Sequence, residues 1–368
     1  MRTPTEKSPY IIVAPPFIRT SAGIKGMHLL AEHLHQRGEE VYIHAWTTVP
    51  QRKAPTLTRG VLFNLNKKRI APIVVYAETL WGNPLGAACV VRYAGNFLGK
   101  LGGPSSFSNS DLIVWHTDNL KEGRPGIVLS IPVTDTNSFY PPTQKVDRDL
   151  TSFYAMKFKQ AHGGKVEDHI TLPEGCIEIT RDQEGSQTPQ EIGEIFRRSK
   201  VFYAFENTAL SLESMVCGCP VQLVPSPHFE APILVEPFGL KGMAWGFGAG
   251  EWERAVQTLP EVTQGLELLE TQFLNQLDIF IEQTQAHAKR THSVADLTWT
   301  HPYPSISKTL PDKFWRVAMI FTVLFRQKKG LKSLQAFASQ LLGAKSWREI
   351  KRILRQAELA PETFIEEL

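Results

Sequence analysis

The sequence predicts an α/β protein: two doubly wound halves built on parallel strands and facing a cleft, followed by a helical tail. Three observations predict this. Short β-branched runs alternate with segments of helical period; a turn-rich crossing with neither period interrupts them near Pro132; and the alternation restarts beyond it. A chain of 368 residues, 42% hydrophobic and 21% charged, suits two domains with real cores.

In the first half, Tyr10 to Ala14 reads as a buried strand and Pro15 to Gly23 as a loop. Ile24 to Arg37 reads as a helix, with Ile24, Met27, Leu30, Ala31 and Leu34 on one face and Gly38 as its stop. Its histidines, His28, His33 and His35, read as surface residues. Val41 to Trp46 is the next strand, and Ile73 to Ala77 another, ended by Glu78. Asn83-Pro84 is expected to open a helix over Ala87 to Asn96. Gly99 to Ser110 is a loop; Asp111 to Trp115 is a strand ended by His116; Gly126 to Pro132 is a short last strand.

Pro132 to Pro142 is the crossing. Beyond it, Phe153 to Phe158 and Cys176 to Thr180 read as strands. Thr188-Pro189 starts a helix, with Thr as cap and Pro in the first turn. Strand Val201–Phe205, helix Ala209–Cys217 and strand Val221–Val224 follow, then one or two helices from Trp252 to His287. The expected domains are 1–131, 132–290 and a basic helical tail, 291–368.

Composition excludes several classes. A net charge of +3 provides no global field for nucleic acid, so no nucleic-acid partner is expected. Cys89, Cys176, Cys217 and Cys219 lack disulfide-framework or zinc spacing, and no His or Cys pair completes Cys217-Gly-Cys219 as a metal site. Met1 to Ser8 is polar and does not read as a secretory signal, and no run approaches the roughly 20 apolar residues of a membrane span. The expected location is cytoplasmic.

The chemistry concentrates in Glu206-Asn-Thr-Ala-Leu-Ser-Leu-Glu213-Ser-Met-Val-Cys-Gly-Cys-Pro-Val221. A carboxylate at a strand end can accept hydroxyl hydrogen bonds from a sugar. Asn207 and Thr208 add polar groups, and amides at the following helix start suit phosphate oxygens. Glu213 can hold ribose hydroxyls. Taken singly, either glutamate reads first as capping or decorating the helix; the ensemble is the more specific signal.

This segment resembles the donor-site signature of family-4-like GT-B glycosyltransferases, in which two glutamates flank a small-residue turn before Cys-Gly and Pro-Val. The family spaces its glutamates by eight; here they stand seven apart. Ser21-Ala-Gly23-Ile resembles the loop after the first strand, where Gly23 lets the backbone approach a ligand. Pro132 to Pro141 resembles the segment entering the second domain, and Tyr76 to Leu85 resembles a stretch of bacterial polysaccharide and lipopolysaccharide glycosyltransferases. The resemblance covers roughly residues 8 to 235. It implies a GT-B-like fold of two Rossmann-like domains, and a sugar moved from a nucleotide-sugar donor to a glycan or lipid-linked acceptor. No cofactor or metal is expected. Donor contacts would come from Gly23, Lys157, Arg181, Glu206, Asn207, Thr208 and Glu213.

Lys157, Lys159, Lys165 and Arg181 are the cations offered to a departing diphosphate. Asp147-Arg-Asp149 has the Asp-x-Asp form of metal-dependent transferases but lies in a polar linker rather than at a strand end. Glu78 and His116, at strand ends of the first half, are the candidate catalytic bases, with Asp118 a third option. In the tail, Phe314 to Phe325 followed by Arg326, Lys328, Lys329 and Lys332 suits either a packed helix or the anionic inner face of a membrane. Two rival readings stand beside transfer: a sugar epimerase of similar architecture, and a catalytically inactive nucleotide- or glycan-binding protein.

Overall fold

The structure is a computed structural model and describes residues 7–49, 51–181, 185–291 and 296–303. The predicted tail from Phe314 onward lies outside the described residues.

The first sheet is six-stranded. Its members are β1 (Tyr10–Val13), β2 (Val41–His44), β3 (Ile73–Ala77), β4 (Cys89–Ala94), β5 (Leu112–Trp115) and β6 (Ile127–Val128), in the order β2-β1-β3-β4-β5-β6. All its pairings are parallel. The second sheet has five strands: β7 (Leu150–Tyr154), β8 (Ile177–Glu178), β9 (Ser199–Ala204), β10 (Val221–Leu223) and β11 (Met243–Trp245). Their order is β11-β10-β9-β7-β8, again parallel. The two-sheet α/β architecture is therefore as expected.

Both faces of each sheet are covered, which is why β1 and β3 are unbroken runs of apolar residues rather than alternating ones. Helix α1 (Ala22–Gln36) packs on one face of the first sheet, and Gly38, at φ +77°, ends it in the left-handed conformation glycine tolerates. Helix α2 (Arg59–Lys67) packs on the other face through Leu62 and Leu65. In the second half, α3 (Met156–His162) follows β7; α4 (Pro189–Arg198) and α5 (Leu210–Val216) pack with α6 (Glu251–Gln264) in the second core. Thr188 caps α4 as expected, in a full capping box with Glu191.

Three local expectations fail. Residues 89–94 are strand β4, not part of a helix over Ala87 to Asn96. Asn83 instead makes a turn, accepting from Ala87 N at 3.0 Å and donating to Ala87 O at 2.7 Å, and the Val90-Val91 pair then enters the sheet. The expected strand Phe153–Phe158 stops at Tyr154, so Lys157 and Lys159 stand on α3. His28 is fully buried, bonded through Nε2 to Pro15 O at 2.8 Å, and His33 packs edge-on against Phe273; these are core contacts, not surface ones.

Helix α7 (Leu266–Arg290) leaves the second half and lies on the first sheet. Phe273, Leu277 and Phe280 enter that core. Phe280 stacks on Tyr10 at 6.0 Å, and the Tyr10 hydroxyl meets Thr284 Oγ1 at 2.8 Å. Residues 296–303 continue over the same half, with Leu297 and Tyr303 buried against α2 and β3 residues. Phe280→Ala should remove a fully buried ring from this junction and cost about 3–5 kcal/mol, read as a lowered denaturation midpoint.

Candidate functional site

Each sheet has one place where the chain reverses its direction of winding: between β1 and β3 in the first, and between β7 and β9 in the second. Loops leaving two such strands part in opposite directions and open a crevice at the carboxyl edge. A cleft of about 630 Å³ lies between the two halves. The first half lines it with Arg19, Thr20, Ala22 and Lys25, from the β1–α1 loop and the first turn of α1. The crossing contributes Asp135, and the second half contributes Arg181, Thr188 and Glu213.

Arg181 and Glu213 form its charged centre. Arg181 Nη2 donates to Glu213 Oε2 at 2.7 Å, with both side chains about nine-tenths buried. Burial raises the Glu213 pKa, and the Arg181 charge opposes that shift. Arg181 Nη1 also reaches Thr20 O across the cleft at 3.3 Å. One guanidinium thus joins both halves. Lys25 donates to Val133 O in the crossing. Burial lowers its pKa, against the pull of Glu213 and Asp135. Asp135 holds the crossing in shape, accepting from Asn137 N at 3.1 Å and Ser138 Oγ at 2.7 Å. The crossing is pressed onto α4 so closely that a Cβ at Gly193 would lie 2.3 Å from Ser138 O.

The structure splits the sequence-predicted donor residues into two groups. Arg181 and Glu213 come together in the cleft, and Gly23 stands in the α1 turn beside it, where a Cβ would meet nothing within 4 Å. Glu206, Asn207, Thr208 and Lys157 are not among the cleft's lining residues. Glu206 bridges the β7/β9 crevice: its Oε2 accepts from Phe158 N, in the first turn of α3, at 2.9 Å. Its buried Oε1 has no hydrogen-bond partner among the described residues and faces Lys157 Nζ at 3.5 Å. Asn207 uses both ends of its amide on the chain, donating to Ala231 O at 3.0 Å and accepting from Ile233 N at 2.7 Å. Thr208 Oγ1 accepts from Leu210 N at 3.3 Å, so that helix-start amide is already occupied. Lys159 is paired with Glu178 at 2.8 Å. Asp149 is exposed and bound by Arg198 at 2.6 Å. Among the described residues no cluster of three or more His, Cys, Asp or Glu is arranged to hold a metal ion.

Sequence reasoning missed Arg19, Lys25 and Asp135. Each is an isolated charge in its local stretch, and only the crossing of the chain between the halves brings them beside Arg181 and Glu213. Asp135 lay within a segment already singled out, and its place before Asn137-Ser138 was a readable turn signal.

The candidate bases lie on the same carboxyl edge of the first sheet, outside the cleft's lining. Glu78 is buried beneath the 95–103 loop; its Oε2 accepts from Gly95 N at 3.2 Å, and a Cβ at Gly103 would lie 2.1 Å from Glu78 O. Burial pushes its pKa up to about 7. His116 Nδ1 lies 3.0 Å from the Tyr93 hydroxyl, which also lies 3.0 Å from Leu129 O. A carbonyl only accepts, so the single tyrosine proton goes to Leu129 O and His116 Nδ1 carries the ring proton. Burial pushes the His116 pKa down to about 4, so near neutral pH the ring is uncharged with Nε2 as its lone-pair nitrogen. Asp118 pairs with Lys121 at 2.8 Å and is exposed.

Glu78 generates a pH test. In the unfolded chain its proton leaves near 4.5, whereas in the folded chain it stays until about 7. The folded state therefore binds more protons across that window, and the contribution of Glu78 to stability falls as pH rises from 4.5 to 7. The full change is roughly 3 kcal/mol. Glu78→Gln should remove that decline, measured as wild-type minus variant stability across the same range.

No protein-family model and no curated protein matches this chain in sequence. Among solved structures it is similar to WaaG, a glycosyltransferase involved in lipopolysaccharide biosynthesis, at 11% identity and a TM-score of 0.39, over 78% of this chain and 99% of that one. It is also similar to the glycosyltransferase SnogD from Streptomyces nogalater, at 12% identity and a TM-score of 0.36, over 77% and 99% of the two chains. The calicheamicin glycosyltransferase CalG4 is similar at 11% identity and a TM-score of 0.34, over 78% and 100%.

Proposed function

We propose that this protein is a GT-B-type glycosyltransferase that moves a sugar from a nucleotide-sugar donor to a glycan or lipid-linked acceptor. The observation that carries this reading is the buried Arg181–Glu213 pair in a cleft between two α/β halves, with Lys25 and Arg19 beside it. A carboxylate suits ribose hydroxyls. Cations suit a diphosphate whose negative charge grows as it departs. Arg181 and Glu213 are also among the donor contacts that the resemblance implies.

In this reaction the bond from the sugar's anomeric carbon to the diphosphate breaks, and a bond to the acceptor oxygen forms. The acceptor's hydroxyl proton must go to a base or to the leaving phosphate. Glu78, with its proton poised near neutral pH, and His116 Nε2 are the acceptor-side candidates. Arg181 and Lys25 would offset the diphosphate charge without a metal ion. Glu206 would offer Oε1, which has no hydrogen-bond partner among the described residues, to a sugar hydroxyl beside Lys157.

A nucleotide- or glycan-binding protein without transfer activity is the second reading. It is favoured by Asn207 and Thr208, whose polar side-chain atoms are engaged by the chain itself. No helix among the described residues is long and apolar enough to cross a membrane. The proposed place of action is the cytoplasm, at the inner membrane face if the basic tail binds lipid.

A thermal-shift panel of nucleotides and nucleotide sugars tests the donor site. A ligand at 100 times its Kd adds about 2.7 kcal/mol of stability. Stabilisation by a nucleotide sugar, with release of the nucleoside diphosphate in the presence of acceptor, supports transfer; binding without turnover supports the second reading; no response to any member overturns transfer and the nucleotide-binding form of the second reading. Glu213→Gln removes a charge-assisted hydrogen bond worth roughly 1.5–3 kcal/mol and should lower kcat/KM for the donor about tenfold or more. Turnover should persist in excess chelator. Loss in chelator with recovery on adding manganese or magnesium would refute the cation role given to Arg181 and Lys25.

A further inference from the structure

Three rings form a stack on the first half, away from every residue assigned above. His44, the last residue of β2, lies face to face with His301, with centroids 4.2 Å apart and planes 27° apart. The other face of His301 carries Trp46, at 3.8 Å and 22°. Trp299 stands edge-on to both histidines, at 5.1 and 5.3 Å. The stack is pinned by the backbone of the 299–303 segment. His44 Nε2 meets Thr300 O at 2.5 Å, and Trp46 Nε1 donates to Tyr303 O at 2.8 Å. Desolvation first, then the nearby His44 and Arg59, push the His301 pKa down to about 4, so the central ring is uncharged near neutral pH; burial lowers the His44 pKa as well.

Among the described residues, the indole at the end of this stack is left open. Trp46 is 47% exposed although its ring is backed by His301 and its N–H is satisfied. An isolated exposed tryptophan is commonplace; one held rigid by stacking on one side and open on the other is a preformed platform. Its position gives it a use. β2 neighbours β1 at the sheet's outer side, and parallel strands end on the same edge about 5 Å apart. The loop after β2 is tied to the loop after β1: Phe17 N donates to Thr47 O at 3.1 Å and to Thr47 Oγ1 at 3.0 Å. That second loop supplies Arg19 and Thr20 to the cleft. The platform therefore stands on the same edge as the cleft-lining loop and is hydrogen-bonded to it through the neighbouring Thr47.

We propose that the Trp46–His301–His44 stack is a sugar-ring subsite, on which one pyranose of an oligosaccharide acceptor rests outside the cleft. A pyranose presents one face of axial C–H groups, weakly positive and apolar, to the electron-rich face of an indole, and keeps its hydroxyls around the rim. Thr47, next in the chain, is exposed, and Arg59 lies near the stack, its guanidinium 5.6 Å from the Trp299 ring centre. One indole is far too small for a protein partner, which needs on the order of 800 Å² on each side. This subsite rests on the transferase reading and narrows its acceptor to a glycan of several residues.

Titration of the full chain, labelled with nitrogen-15, tests the proposal. Trp46 contributes one of eight indole N–H signals, identified by its absence in Trp46→Phe. The probes are maltohexaose, cellohexaose and chitohexaose, which are neutral, and hexagalacturonate, which is anionic. At least one should move the Trp46 signal, with a Kd, read from the backbone amide signals that shift in every form, that rises tenfold or more in Trp46→Ala and less in Trp46→Phe, which keeps a ring. A preference for hexagalacturonate that disappears in Arg59→Gln assigns that cation to an acidic sugar. The proposal is overturned if none of the four moves the Trp46 signal, or if binding is unchanged in Trp46→Ala. Should Trp46→Ala fail to fold, the Trp46→Phe titration decides, since loss of shape complementarity must still weaken the affinity. Because no donor enters the titration, its failure leaves nucleotide-sugar turnover untouched, and absent turnover leaves the titration untouched.

Discussion

Parallel strands all leave a sheet by the same edge, and that constraint places everything of chemical interest in this molecule. The β1 loop, the Trp46 platform, Glu78 and His116 stand on one such edge. Glu206 and the start of α3 stand on the other. The chain cannot distribute these residues more widely without antiparallel strands. The side chains that differ from an ordinary buried α/β core are therefore gathered at the carboxyl edges.

Charge determines how those edges are used. Glu213 is buried at a depth that disfavours its ionised form, and the guanidinium of Arg181 offsets part of that cost. Removing either partner would leave a lone charge in a desolvated setting, which is why such pairs are costly to break even when they add little to net stability. At Glu206 one oxygen is bound to a backbone amide, and the other approaches a half-exposed lysine. At His116 no charge is tolerated, and a tyrosine holds the neutral ring in one tautomer.

Much of the fold was legible because burial on both faces leaves a simple pattern. Ile73 to Ala77 reads as a strand from its residues alone, and it is one. β4 was misread because Asn83-Pro84 imitates a helix start, while the side-chain ring that Asn83 closes on Ala87 is invisible to periodicity. α2 was missed because its apolar residues, Val61, Leu62, Phe63 and Leu65, form a short run rather than a clear helical period, and Phe63 points to solvent while Leu62 and Leu65 are buried. In the candidate site, Arg181 and Glu213 were readable from strand-end and helix-start positions. Arg19 and Lys25 were not, because their meaning comes from residues on the other half. The aromatic stack was beyond any local reading, since Trp46 and Tyr303 are 257 positions apart.

The return of α7 to the first sheet bears on how this chain is made. Tyr10 finds Thr284 across 274 positions, and Ser8 finds Gln285 across 277. During synthesis the first sheet leaves the ribosome long before the helix that closes one of its faces. Phe273, Leu277 and Phe280 have to arrive before that core is dry. The second half, whose contacts are mostly with itself, can condense in the interval. N-terminal residues thus complete their packing among the last, a late long-range closure that leaves apolar surface open to chaperones and to aggregation in the meantime. A fragment of the first sheet alone lacks its own lid.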